Sequence, residues 1–207
     1  MGLAACAAAL AGATGAGNGV TIAALNTGGA VFASGAKLVI NNSTHVEVLG
    51  LALPYEVTGD LISVTGTSHH VLIEDCLIGP AALTPASGTT TNYIYTQDTV
   101  ANVIIRNNEL RNKGTSGNGI RIYGDFTALG GCKYILIEGN HLHDFGNEVS
   151  NNAEPIRVGT SAMSRTASYN VVRFNLFERL KTEPEIVSTK LSNMWIYGNT
   201  VRDCIGT

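Results

Sequence analysis

The chain has 207 residues, a formal net charge of −3, and 14% charged against 44% hydrophobic side chains. That balance excludes a disordered chain, and the slight negative charge excludes a general nucleic-acid binder, which would carry a basic face. The length suits one domain with a sizeable core, and the weight of Asn, Thr, Ser, Gly, Val and Ile favours short strands and many turns over long helices.

Residues 1–17 are rich in Ala and Gly. They resemble a signal peptide in their small, apolar content, but no Lys or Arg stands near the start and glycines interrupt the run, so a first turn of the fold is the other reading. No run is long enough for a membrane-spanning helix, and no membrane role is expected. Cys6, Cys76, Cys132 and Cys204 form no C-x-x-C pair and are expected to be free thiols.

From residue 46 onward a pattern recurs. The segments 46–53 (VEVLGLAL), 71–78 (VLIEDCLI), 103–110 (VIIRNNEL), 135–142 (ILIEGNHL), 171–177 (VVRFNLF) and 194–201 (MWIYGNTV) share apolar alternation and a break near the end. The same place in the break is held by Leu51, Cys76, Asn108, Asn140, Asn175 and Asn199, at steps of 25, 32, 32, 35 and 24 residues. Periods of this size, with strands and no helical periodicity, mark a stacked solenoid in which each unit buries its apolar face only against its neighbours. A second strand set fits the same coils: 61–64, 119–123, 155–159 and 185–188. The expected fold is all-β: a single-stranded, right-handed parallel β-helix of about six coils, one domain over 1–207. The recurrent Asn should form an internal ladder and also supply the left-handed backbone of the corner. Insertions at 80–92, 123–133 and 143–154 should line a binding face. A β-sandwich competes but leaves the recurrent Asn unexplained.

The segment 182–190 (TEPEIVSTK) places Glu183 and Glu185 two apart and Lys190 five further on. On an extended strand both carboxylates share a face, with Pro184 turned away. Two such carboxylates repel unless a cation lies between them, and a hard ion such as calcium takes several oxygen ligands. The same spacing also fits an exposed strand edge with a surface salt bridge. Arg157 and Arg173 are candidates for binding a substrate carboxylate, Arg157 before Arg173. His141 and His143 could share a strand face and a metal, although His143 reads more readily as loop; His69 and His70 read as a turn before a strand. Trp195 and Tyr197 share a face that could offer a sugar-stacking platform.

Three stretches carry a resemblance. Residues 151–161 (NNAEPIRVGTS) are similar to the pattern N-G-G-E-x-I-R-I-G-T-S. Residues 175–179 (NLFER) and 183–190 (EPEIVSTK) are similar to N-L-F-E-x-x-x-G-E-x-E-I-I-S-x-K-S, and 198–207 fit the coil that follows. Together they resemble polysaccharide lyase family 6, the alginate lyases and chondroitinase B, most specifically over about 135–207. The resemblance implies a β-helix that cleaves uronate polymers by β-elimination, secreted or periplasmic, with an acidic polysaccharide such as alginate as partner. It implies Asn151, Glu183 and Glu185 as calcium ligands and Lys190 as the base. It departs at Lys181 and Thr182, where the family has a small acidic or glycine-containing turn. The family pattern also continues past its Gly-Thr pair with L-x-L-R-H-G, whose arginine is not among these 207 residues. A fragment or a shortened homologue of a longer lyase is therefore expected, and a second reading stands beside the lyase: an inactive β-helix that binds acidic polysaccharide.

Overall fold

The structure is a computed structural model and describes residues 8–11, 19–84, 87–124, 131–146 and 152–205. Its strands form three parallel sheets, and the chain visits them in turn, so that each circuit makes one coil. The first sheet runs through Ala8–Ala11, Leu38–Asn41, Gly59–Thr65, Ser87–Thr96, Ile120–Ile122, Ile156–Val158 and Val187–Thr189, with Thr115–Ser116 paired to one side. The second runs from Val20–Ala23 through Thr44–Leu49, His69–Glu74, Ala101–Arg106, Leu136–Glu138 and Val171–Arg173 to Trp195–Tyr197. The third runs from Ala30–Val31 through Leu51–Leu53, Leu77–Ile78, Glu109–Arg111, His141–His143 and Leu176–Glu178 to Thr200–Arg202. This is the right-handed parallel β-helix expected from the repeat, with seven rather than six levels among the described residues. The extra level includes Ala8–Ala11, which pairs with Leu38–Asn41.

Register explains the stability. Parallel coils put like positions over like positions. Leu38, Ile62, Ile94, Ile120 and Ile156 form one inward column, and Val48, Ile73, Ile105, Ile137 and Val172 another, all essentially inaccessible. β-branched side chains suit such columns because few rotamers are lost on stacking. Cys76 and Cys132 are buried free thiols within this core, with burial pushing each pKa up to about 11, and Cys204 is free and partly buried.

The asparagine ladder is present. Asn108 donates Nδ2–H to Asn140 Oδ1 at 2.9 Å, Asn140 to Asn175 Oδ1 at 3.0 Å, and Asn175 to Asn199 Oδ1 at 3.0 Å. Backbone N–H groups donate to the same oxygens, down to Cys76 N–H on Asn108 Oδ1 at 2.9 Å. The left-handed conformation, however, falls one residue earlier, on Gly50, Asp75, Asn107, Gly139, Phe174 and Gly198. At Asn107, Gly139, Phe174 and Gly198 the exposed residue turns the corner, which frees the asparagine after it to point its amide inward. Three further expectations are corrected. Residues 87–92, expected as insertion, belong to the strand Ser87–Thr96. His69 and His70 open a strand rather than precede it, and His143 lies in a strand rather than a loop.

Candidate active site

A second group of buried polar side chains, apart from the asparagine ladder, lies at the start of the first-sheet strands. Asn92, Asn118, Glu154 and Glu183 stand there on successive coils, each buried. Beside the last two lies a cavity of about 420 Å³ lined by Glu154, Arg157, Ser161, Glu183, Glu185 and Lys190. It gathers four residues singled out in the sequence: Arg157, Glu183, Glu185 and Lys190. Asn151, the fifth, lies outside the described residues.

The local route differs from the expected one. The strand begins at Val187, so Glu183 and Glu185 sit on the bend before it. Pro184 has no N–H to give a ladder and fixes its own φ, so regular pairing starts only beyond it. The bend buries Glu183 and leaves Glu185 exposed, yet both still face the cavity. Lys190 follows directly after Thr189; its N–H donates to Val158 O at 2.7 Å, and its ammonium lies 3.9 Å from Glu185 Oε2. Arg157, at the centre of Ile156–Val158, donates to Asn152 Oδ1 at 2.6 Å and lies 3.5 Å from Glu154 Oε1.

Glu154 and Glu183 both line the cavity and interact with each other electrostatically. Burial, the Glu154 carboxylate and nearby Glu185 push the Glu183 pKa up to about 7. Burial also works against ionisation of Glu154. The interaction with Glu183, the charge of Arg157 and the amide of Asn118 outweigh it, and its pKa lies below the ordinary value. Two buried carboxyls this close resist carrying charge together unless a cation joins them.

Unpaired polar atoms concentrate here. Among the described residues, the buried side-chain atoms without a hydrogen-bond partner are Asn118 Oδ1, Arg121 Nε, Arg157 Nε, Thr160 Oγ1, Glu183 Oε1, Ser188 Oγ and, on the third sheet, Arg111 Nε. All but the last belong to the first sheet or its flanks. Buried polar groups are normally paired, so a cluster of exceptions marks where a ligand, ion or water belongs. On the outer face of this sheet Ser63, Tyr95, Arg121, Arg157 and Ser188 stand in register. Arg121 sits over the Tyr123 ring at 4.7 Å and near Tyr95 at 5.9 Å.

Sequence reasoning passed over Glu154, Ser161 and Arg121. Arg121 had a signal: it centres an Ile-Arg-Ile run that repeats, one coil on, as Ile-Arg-Val around Arg157. Glu154 had one in standing three residues before Arg157, but nothing in the sequence showed that it would meet Glu183.

The other candidates lie elsewhere. Arg173 is on the second sheet, ion-paired with Glu138 and bonded to the Tyr197 hydroxyl at 2.8 Å. Trp195 and Tyr197 are exposed on that same sheet. His141 and His143 share a face of the third sheet with ring centroids 4.2 Å apart; they meet Glu178 at 3.3 Å and Asp144 at 2.6 Å. Among the described residues no three His, Cys, Asp or Glu side chains are gathered into a ready metal cluster. A larger groove of about 640 Å³ crosses the second sheet over Leu72, Ile104 and Leu136. Its floor is apolar, and lysine and arginine are absent from its lining.

A parallel β-helix with a carboxylate- and lysine-lined cavity on one sheet defines the class. The model of the family described as Chondroitinase B matches residues 10–207, and the chain belongs to that family. The family likeness read from residues 135–207 is thereby borne out. Among solved structures, the chain is similar to the PL6 family alginate lyase AlyGC, with a TM-score of 0.70 and 19% identity over 96% of this chain and 28% of that one. It is also similar to a variant of AlyGC with an arginine replaced by alanine, with a TM-score of 0.62 and 18% identity over 92% of this chain and 26% of the other. The chain thus spans little more than a quarter of the length of those structures. No curated protein matches it.

Proposed function

We propose that this chain carries the calcium-dependent site of a lyase that cleaves uronate polymers such as alginate by β-elimination. The observation that carries the reading is the cavity that brings a buried, unpaired Glu183 oxygen together with Glu154, Glu185, Arg157 and Lys190. Hard carboxylate oxygens crowded together suit a divalent cation such as calcium. Glu183 and Glu185 would hold it, with Asn151 as the further ligand implied by the family pattern. Bound calcium would neutralise the substrate carboxylate and stabilise charge developing at C5.

The chain's own residues do the rest. Arg157 binds and orients the uronate carboxylate, and Arg121, one coil earlier in register, suits the carboxylate of the neighbouring sugar. Lys190, half-buried at the rim, removes the C5 proton in its neutral form. The C–H electron pair becomes the C4–C5 double bond, the C4–O bond breaks, and the leaving oxygen takes the proton that the Lys190 ammonium then carries. A secreted or periplasmic location fits a polymeric substrate of this kind.

The test is the ultraviolet absorbance of the conjugated unsaturated uronate, followed on alginate with calcium or with a chelator, for wild type and Lys190→Ala. A calcium-dependent rise, reduced by at least about 100-fold in Lys190→Ala, is expected, since a positioned base contributes on that order. Calcium binding without any product would favour the inactive polysaccharide binder instead.

A further inference from the structure

We propose that Asn118, backed by Asn92 and Asp60, is a positioning residue that fixes Glu154 beside Glu183 in the cavity; the inference rests on the reading of Glu183 as a calcium ligand. A chain of buried hydrogen bonds runs along the corner into the first sheet. Asn92 Nδ2–H donates to Asp60 Oδ1 at 2.8 Å, and Asn118 N–H donates to Asn92 Oδ1 at 2.9 Å. Asn118 Nδ2–H then donates to Glu154 Oε2 at 2.7 Å and to Glu154 O at 3.1 Å. Glu154 in turn lines the cavity together with Glu183. Asn118 is fully buried, and each step crosses from one coil to the next.

Asn118 stands between two glycines that allow this close approach. Gly117 has φ +86°, and a Cβ there would meet Thr91 O at 2.5 Å; a Cβ on Gly119 would meet Pro155 O at 2.6 Å. Gly117 N–H donates to Asn152 O at 2.8 Å, so the segment 117–119 is stitched to the backbone beside Glu154. The amide holds both the side chain and the carbonyl of Glu154, and leaves Oε1 on the side of Arg157. The asparagine ladder of Asn108, Asn140 and Asn175 has the same chemistry at another corner but reaches no cavity residue. It serves as an internal control for a purely structural role.

The experiment is calcium titration by calorimetry on wild type, Glu183→Gln, Asn118→Ala and Asn108→Ala, with thermal unfolding of each. Residues that orient metal ligands typically cost 10–100-fold in affinity. Asn118→Ala is expected to weaken calcium binding by about 10-fold or more. Asn108→Ala should bind calcium as wild type does while unfolding at lower temperature. If Asn118→Ala does not fold, Asn118→Ser carries the test, since its hydroxyl is too short to reach Glu154, and the same loss is expected. Calcium bound by wild type and lost in Glu183→Gln, with Asn118→Ala unchanged or Asn108→Ala equally weakened, overturns the positioning role alone. No calcium bound by wild type overturns the site reading, and the positioning role falls with it.

Discussion

Lys113 shows how much of this protein's polar chemistry is interior. It is 2% exposed, and its ammonium donates to Thr115 O at 2.7 Å, Thr115 Oγ1 at 2.9 Å and Ser116 O at 2.7 Å. The Thr115 hydroxyl passes the contact on to Glu56 Oε1 at 2.6 Å. Burial pushes the Lys113 pKa down to about 7, with Glu56 pulling it back up. The folded chain then releases this proton near pH 7, whereas the unfolded chain holds it to about 10.5. Between those values the unfolded state binds more protons, so stability rises with pH as the cost of the buried charge is relieved. Denaturant midpoints at pH 7 and pH 10 should therefore rise more in wild type than in Lys113→Met; equal changes would show that Lys113 keeps its proton when folded. The same residue scale explains what the sequence could and could not disclose about the site. Glu183, Glu185, Lys190 and Arg157 were legible because two short motifs place them within 34 residues of one another. Glu154 was not, because its partner lies 29 residues away and they meet only when two coils stack.

At the scale of the element, each coil is a division of labour between neighbours in sequence. Asn107 turns the corner in the left-handed conformation and is exposed; Asn108 faces inward and carries the ladder. The repeat was legible in the sequence because both jobs recur at the same place in every coil. Their assignment was not, since Asn suits either job and only the alternation of faces after the turn decides. Asn140→Ala would orphan the buried Asn108 N–H and Ile105 O, which it now satisfies. A cost of about 3 kcal/mol is expected, at roughly 1–3 kcal/mol per buried group left unpaired. Asn107→Gly keeps the turn and should cost well under about 1 kcal/mol, because glycine adopts positive φ freely. Equal losses for the two variants, read from denaturant unfolding, would place the stabilisation at the corner rather than in the ladder.

For the whole molecule, stability is shared between adjacent coils rather than held in one centre. Val172 and Phe177 are fully buried between the coils on either side of them. Loosening one coil with Ile137→Ala should thus speed amide exchange in the adjacent strands Ala101–Arg106 and Val171–Arg173 more than in Val20–Ala23, four levels away. An equal change in all of these strands would contradict a nearest-neighbour solenoid. The candidate site stands on the coils carrying Glu154 and Glu183, so its carboxylates depend on how those two coils pack against each other.

The central claim is that Lys190 takes a proton from C5 of a uronate held at the Glu183–Glu185 cavity. Proton magnetic resonance of alginate oligosaccharides in deuterated water tests it most directly. With calcium and the wild-type chain, the C5–H signal should disappear, through elimination or through exchange, and it should persist with a chelator or with Lys190→Ala. Cleavage that leaves C5–H intact, or loss of C5–H that is indifferent to Lys190, would contradict the account.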